Sequence, residues 1–415
     1  LGNLRSRLLL AVLLVTSFSS LVYEVVWGRQ LSFIFGTSAF AITTVLTAFM
    51  AGLAFGSLYG GRIIDRIKKR YQFLAIIEIL IGLTCLATLY VLPAIKQPYF
   101  WIYDAFNGSL PLFTVSLFLF SFIILIIPTF LIGVAFPTVV KLYYSELKQM
   151  GKSVGTTYMF DTIGGAMGAL LSGFFLIATF GFYKVSVIAS VLNIISGAVL
   201  FFVFWKKSPA ETRDSHEPHD AHPEEALSTP ARKLVLALFF LSGFAALMFE
   251  VIWTRHIALI YGSSMQSFAI VLASFLTGLG LGSMAASRYA DRVKNKIVLF
   301  ALIELMIGIL GMVLVVVFPA MERWFLYLYF HISSYDMFMF LLFLVCFVTI
   351  LIPTMLMGAT LPVLSAAYAS GHKVGTDVGR LYSVNSFGSI FGSFMAGFII
   401  IPATGLAYAS ILAGI

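Results

Sequence analysis

Apolar runs of about 20 residues, the length that crosses a bilayer as a helix, recur along the whole chain between short polar clusters. They fall at 8–27, 38–60, 72–93, 113–137, 154–180, 184–205, 234–253, 264–286, 298–318, 338–362 and 379–402. At a rise of about 1.5 Å per residue, each spans roughly 30 Å of hydrocarbon. The pattern predicts these eleven helices and a twelfth that begins at Leu406 and is cut off at Ile415. The expected class is an all-α, polytopic membrane protein of about 12 transmembrane helices.

The pattern also repeats. "LVYEVVWGR" at Leu21–Arg29 has a near copy, "LMFEVIWTR", at Leu247–Arg255. A shift of 226 residues superposes Glu24 on Glu250, Trp27 on Trp253, Arg29 on Arg255, Asp65 on Asp291 and Glu78 on Glu304 without a gap. Shifts of 225 and then 224 continue the match, placing Pro128 on Pro353, Tyr158 on Tyr382 and Gly181 on Gly405. Two six-span repeats are expected, residues 1–205 and 234–415, joined by a linker at 206–233. An even number of spans gives both repeats the same orientation, so the axis relating them should run along the membrane normal. The linker is rich in Pro, Ser, His and acids and has no apolar periodicity. His216, His219 and His222 recur in it every three residues, but a solvated low-complexity segment is the better reading, and no metal site is expected.

Composition agrees with the class: 60% hydrophobic residues, 11% charged residues and a mean hydropathy of +1.01 lie outside the soluble range. The net charge of +8 reads as a topology signal and gives no ground for a nucleic-acid partner. With the N-terminus and linker cytoplasmic, only Arg29, Lys96, Lys184, Arg255 and Arg323 of the 26 lysines and arginines fall outside. The protein is thus expected in the cell membrane with the lipid bilayer as a partner. Its five tryptophans, Trp27, Trp101, Trp205, Trp253 and Trp324, all lie near span ends, as in an aromatic belt. The segments "KQPYFWIYDAF" and "MERWFLYLYF" are expected as interfacial elements on the outer surface. Cys85 and Cys346 are single thiols within spans and indicate neither a disulfide framework nor a metal site. No cofactor motif is present: the "GKS" at Gly151 has Glu146 where a phosphate loop needs glycine. The chain starts at Leu1 without methionine, and its first apolar run lacks a small-residue cleavage site, so no signal peptide is expected.

The loop "GGRIIDRIKKR" after the second span and its copy "ASRYADRVKNK" resemble the loop signature of the major facilitator superfamily, although Ser287 replaces the glycine found at Gly61. The resemblance implies that Asp65 and Asp291, each followed by an arginine, Arg66 and Arg292, engage a helix start in the opposite half. Those starts fall around 375–380 and 153–155. A helix N-terminus offers free N–H groups and partial positive charge, so the expectation is physically sound. The glycine-rich spans repeat small residues every four positions, as closely packed membrane helices do.

A closer resemblance is carried by "FEVIWTRHIALIYGSS", "GLGLGSMAASRYADR", "LIPTMLMGATLPVL" and "GRLYSVNSFGSIFGSFMAGFIIIPATG". These stretches look like the membrane portion of bacterial fused major facilitator and spermidine synthase-like proteins. The resemblance covers nearly the whole chain and is strongest in the second half. It implies a soluble aminopropyltransferase-like domain as a partner or continuation after the last span. Nothing similar to that domain's glycine-rich nucleotide-binding motif occurs in these 415 residues, so its activity does not transfer to them.

The candidate chemistry lies in the intramembrane acids Glu24, Glu78, Asp161, Glu250 and Glu304, with Asn385 at the repeat position of Asp161. A charge in hydrocarbon costs several kcal/mol unless it is paired or hydrated, so each must face a partner or water. Glu24 and Glu250 are expected near the outer interface, held by Arg29 and Arg255 acting as gating groups. For Glu78, Glu304 and Asp161 no base lies within the same span, and a central, hydrated role is expected. Tyr158 and Tyr382, with Tyr23 and Phe249, offer a cation–π surface for an ammonium group. The sequence therefore points to secondary transport, by alternating access, of a small organic cation such as a polyamine, with protons as a coupling ion. The alternative is a membrane anchor for an aminopropyltransferase-like domain. A hydrated cavity lined by the acids favours the first and a dry interface the second. No nucleophile, base and orienting group can be grouped, so no catalytic residue is assigned.

Overall fold

The computed structural model describes residues 2–35, 38–94, 110–204, 228–261, 265–369 and 373–415. Among them every long element is a helix. Ten are apolar and long enough to cross a membrane, but two run for 55 and 41 residues, Met150–Phe204 and Val374–Gly414. Glycine divides both. Gly181 has φ 74° and ψ 160°, and Gly405 has φ 80° and ψ 172°. Eleven spans and one shorter helix result among the described residues. They are α1 (Gly2–Phe35), α2 (Ser38–Arg66), α3 (Arg70–Ala94), α4 (Leu110–Leu147), α5 (Met150–Leu171, continued through a π turn at Ser172–Leu176 to 180) and α6 (182–204). The second set comprises α7 (Thr229–Tyr261), α8 (Met265–Tyr289), α9 (Lys296–His331), α10 (Tyr335–Tyr368), α11 (Val374–Phe394, with a π turn at Met395–Ile400) and α12 (406–414).

The two sets pack alike. α1 lies on α5 as α7 lies on α11, α2 on α4 as α8 on α10, and α3 on α6 as α9 on α12. Across the middle, α2 meets α11 and α8 meets α5. Glycine makes these contacts close: a Cβ on Gly164 or Gly168 would strike the α1 carbonyl oxygens of Leu14 or Phe18. The repeat positions Gly388 and Gly392 stand against Phe240 and Phe244 of α7 in the same way. In lipid, where water supplies no drive toward apolar burial, such backbone approach maximises dispersion contacts. α3, α6, α9 and α12 form the periphery and expose apolar side chains such as Leu83, Phe202, Val316 and Leu412.

Several expectations change. α7 begins at Thr229, so the end of the expected linker is helical, while residues 205–227, including the three histidines, lie outside the described residues. Trp27 and Trp253 are 1% and 0% exposed, so they are packing residues and not a belt. The helices continue past them to Phe35 and Tyr261, which puts both rings inside the bundle, stacked on Tyr23 and Phe249. The segment "MERWFLYLYF" is the continuation of α9, whose 36 residues reach about 54 Å, and it carries an exposed Trp324. Its counterpart at 96–106, with Trp101, and also Trp205, lie outside the described residues.

A side chain at Gly181 or Gly405 meets open space, so the cost of substitution there is purely that of a backbone region essentially confined to glycine. Gly181→Ala and Gly405→Ala should each lower stability by about 1–3 kcal/mol. Thermal unfolding of the purified protein in detergent checks this, with Gly173→Ala, whose Cβ would crowd Ala269, as the steric comparison.

Candidate functional site

Between the two sets of helices lies a cavity of about 140 Å³ lined from α1, α2, α4, α5, α7, α8 and α11. Helices α2, α4 and α8 contribute apolar side chains such as Phe49, Phe136 and Phe275, while α1, α5, α7 and α11 contribute the polar ones. Glu24 on α1 and Glu250 on α7, 3% and 5% exposed, enter it from opposite halves. Asp161 on α5 joins them and accepts a hydrogen bond from the Ser17 hydroxyl. Tyr158, Tyr382 and Asn385 complete the set expected from the sequence. The Phe136 ring packs against Tyr158 (6.0 Å, 73°) and Tyr382 (4.7 Å, 31°), which holds both phenols at the wall. Among the described residues, no lysine or arginine lines the cavity.

The repeat is not chemically even at this site. Asp161 and Ser17 on one side correspond to Asn385 and Gly243 on the other. The Asn385 side-chain amide donates to the Phe239 carbonyl (3.2 Å), and the Asn385 backbone carbonyl lies where a Cβ on Gly243 would strike it. Ser17, Phe136 and Thr162 were not singled out by sequence reasoning. The signal for Ser17 was its helical position, one turn and three residues before Glu24, and for Phe136 there was none.

Glu78 and Glu304 do not reach the cavity, contrary to expectation. Glu78 is fully buried within the first set, where Thr16 (2.7 Å) and Asn193 (3.1 Å) donate to its two oxygens. Ser242, the repeat position of Thr16, donates to Glu304 at 2.6 Å. Both acids face along α3 and α9 toward hydroxyls of α1 and α7, so their partners come from neighbouring helices and not from their own spans. The expected ion pairs Glu24–Arg29 and Glu250–Arg255 are likewise absent among the described residues. Five residues along an unbroken helix turn the side chain about 140° away, and α1 and α7 do not end at these arginines. Tyr23 and Phe249 are also off the cavity, Tyr23 donating to Ser190 at 3.1 Å.

At the end of the bundle bearing the basic loops, the halves are clamped. Asp65 accepts from the N–H groups of Gly375 (3.2 Å) and Thr376 (2.7 Å) and from the Thr376 hydroxyl (2.7 Å), at the start of α11. Asp291 accepts from Gly151 (2.8 Å) and Lys152 (2.9 Å) at the start of α5. Charge-assisted bonds to free helix-end donors are among the stronger kind. Asp65 has a further partner, the buried Lys141 ammonium at 3.2 Å, whereas the repeat position of Lys141 is Ala366. Arg66 and Arg292 are exposed. Below the clamps Gly61 touches Gly375 and Gly379, and Ser283 donates to the Gly155 carbonyl at 2.7 Å. Toward the other end, the halves meet through a small apolar cluster of Leu46, Ala169, Leu272 and Ala273.

Two sets of six helices packed alike around one central cavity is a transporter architecture, and residues 8–361 match the sequence profile of the Major Facilitator Superfamily. The chain belongs to that superfamily. Its fold is similar to the crystal structure of the human organic anion transporter MFSD10 (TETRAN), with a TM-score of 0.54 and 10% identity over 99% of this chain and 97% of that one. No curated protein matches the sequence. As a facilitator-superfamily member, this multi-pass membrane protein is a secondary transporter of a small molecule.

The uneven clamps have a measurable consequence. Asp65→Ala removes three hydrogen bonds and strands a buried lysine, whereas Asp291→Ala removes two hydrogen bonds. With about 1.5–3 kcal/mol for a charged hydrogen bond and more for an orphaned buried charge, the Asp65 variant should open this end at least about tenfold more. Maleimide labelling of a cysteine placed at the buried Ser57 measures it, and equal rates in the two backgrounds would show that Lys141 contributes nothing to the clamp.

Proposed function

We propose that this facilitator moves a small organic cation, of the polyamine class or a close relative, across the cell membrane by alternating access. The observation that carries the reading is the central cavity, which among the described residues three carboxylates line and no basic residue does. An anion would meet uncompensated like charge there, and a neutral solute would leave the acids without a countercharge. A cation supplies it. Asp161, held by Ser17, is the fixed anchor for an ammonium group, and the faces of Tyr158, Tyr382 and Phe136 suit its alkyl chain and add cation–π attraction. A water needs about 10–15 Å³ of such space, so the cavity of about 140 Å³ has room for roughly ten waters or a slender chain.

Polyamines are favoured within this class by the resemblance to fused spermidine synthase-like proteins, which implies aminopropyl chemistry nearby. Membrane anchoring of such a domain is the weaker reading, because a scaffold has no use for a polar cavity between its halves. The excess of lysine and arginine supports a cytoplasmic location for the clamped end, the N-terminus and the linker. The clamps then close the cytoplasmic side, and the rocking of one half against the other exchanges them for an opening. Asp65 and Asp291 are the gating groups in this scheme, with the exposed Arg66 and Arg292 available to anionic lipid headgroups.

Counterflow of labelled spermidine, putrescine and an organic anion in proteoliposomes tests the proposal. Spermidine or putrescine should exchange, the anion should not, and Asp161→Asn should reduce exchange by at least about tenfold, as loss of a charged contact implies. Glu78→Gln should instead lower folded yield while leaving exchange per folded molecule near that of the parent. Exchange of the anion without the amines would replace the cation reading.

A further inference from the structure

A second cavity, of about 370 Å³, lies beside the Asp291 clamp and shares no lining residue with the central one. Its wall comes from both halves: Gln149 and Lys152 at the start of α5, and Arg288, Tyr289, Asp291 and Arg292 at the end of α8 and in the turn after it. Apart from Asp291 these residues are exposed, so the cavity opens to water. Three basic side chains stand against one carboxylate, and both Asp291 oxygens are already bonded, to the N–H groups of Gly151 and Lys152. The cavity is therefore net positive. Neither Lys152, Arg288 nor Arg292 makes an ion pair among the described residues.

The first clamp uses the same positions differently. Thr376, at the repeat position of Lys152, donates its hydroxyl to Asp65, and Lys141, where the second half has Ala366, pairs with the same acid. Arg62, at the repeat position of Arg288, lies 5.8 Å from the centre of the Tyr59 ring, and Ala285 stands where the second half would need that ring. At the second clamp the basic side chains are thus released from internal partners and gathered around open space from both sides of the interface. Retention of loops by positive charge accounts for lysine and arginine at this end. It does not account for a cavity that collects them from two halves.

Arginine presents a planar fork of N–H donors that matches a phosphate, and lysine adds a compact charge. The volume is ample for such a group, since a water takes about 10–15 Å³ in the same measure. We infer that this cavity binds a phosphate group between Lys152 of one half and Arg288 and Arg292 of the other, and that the bound group ties the halves together at this end. A lipid headgroup and a soluble phosphate share the required chemistry. Neither step depends on what the central cavity carries. Opening parts Lys152 from the two arginines, so the anion prefers the closed state and shifts the population toward it. It supplies to the second clamp a further contact across the halves, as the Thr376 hydroxyl does at the first.

Maleimide labelling of a cysteine at the buried Ser57, which is not part of the cavity, reports opening of this end in dodecyl maltoside micelles, which carry no phosphate. Inorganic phosphate at about ten times its dissociation constant, measured by phosphorus NMR, should slow labelling about tenfold, as a ligand confined to the closed state does. Chloride at equal ionic strength should not. Phosphatidylglycerol added to the micelles without phosphate is the second arm: slowing by phosphate supports a soluble anion at the site, and slowing by the lipid alone supports a headgroup. Lys152→Gln keeps the backbone N–H bond to Asp291 and should abolish the slowing, as should Arg288→Gln, while Lys152→Arg should retain it. If the Arg288 variant folds poorly, the two Lys152 variants decide. No slowing and no binding in either arm, equal slowing by chloride, or slowing that persists in Lys152→Gln would overturn the site. Phosphate binding that Lys152→Gln weakens, with an unchanged labelling rate, would support the site and overturn the tie between the halves.

Discussion

A bilayer offers no hydrogen-bond partner, and this constraint shapes nearly every polar group in the protein. The backbone satisfies itself in helices, and the prolines Pro128, Pro137, Pro353 and Pro362 remain inside continuous α4 and α10 because surrounding helices shield the freed groups. Side chains follow the same rule: Ser and Thr donate to carbonyls four residues back, as Thr129 does to Leu125 and Thr354 to Ile350. Glu78 is bound on both oxygens and Trp27 donates to Thr88 at 2.9 Å. Against that background an acid with a bare oxygen in a central cavity stands apart, since burial without a partner is tolerated only where a ligand, water or proton completes it.

Duplication gave the protein two copies of each device, and the differences between them divide the labour. Both halves keep the glutamate at 24 and 250, the clamp aspartate at 65 and 291 and the tied acid at 78 and 304. Only one keeps Asp161, only one has Lys141 on its clamp, and only one gives its core tryptophan an acceptor, because Leu314 stands where Thr88 would be. The shared residues form both clamps and place a glutamate from each half in the cavity. The unshared ones make the cavity uneven, with an acid on α5 and a neutral amide on α11.

The closed end is held by polar contacts whose strength depends on geometry. Carboxylates aimed at free helix-end N–H groups form well only when the helices meet within a few tenths of an ångström, and Gly61, Gly375 and Gly379 allow that approach. A second ion pair, Arg232 to Asp377 at 3.1 Å with the guanidinium 4.3 Å from the Tyr368 ring, ties the beginning of α7 to α11 on the same end. The chain entering the second half is thereby fixed to the helix that Asp65 caps.

Apolar length and repetition determined the number of spans, their pairing and the position of Gly181 and Gly405 from sequence alone, because helix length in a bilayer is a one-dimensional property. The clamp aspartates were legible through the resemblance of their loops, repeated in both halves, to the major facilitator signature, which implies an aspartate at an opposite helix start. Which acids share a cavity was not. Glu78 and Glu24 are equally anomalous along the chain, but only packing decides that α3 turns Glu78 toward Thr16 and Asn193 while α1 and α7 turn Glu24 and Glu250 into the central cavity. Likewise the spacing from Glu24 to Arg29 suggested an ion pair, and the tertiary structure removed it by continuing α1 to Phe35. Sequence lists the charges that the membrane makes expensive; the direction of a helix face, set by contacts from other helices, decides which of them is paired with a neighbouring helix and which faces the central cavity.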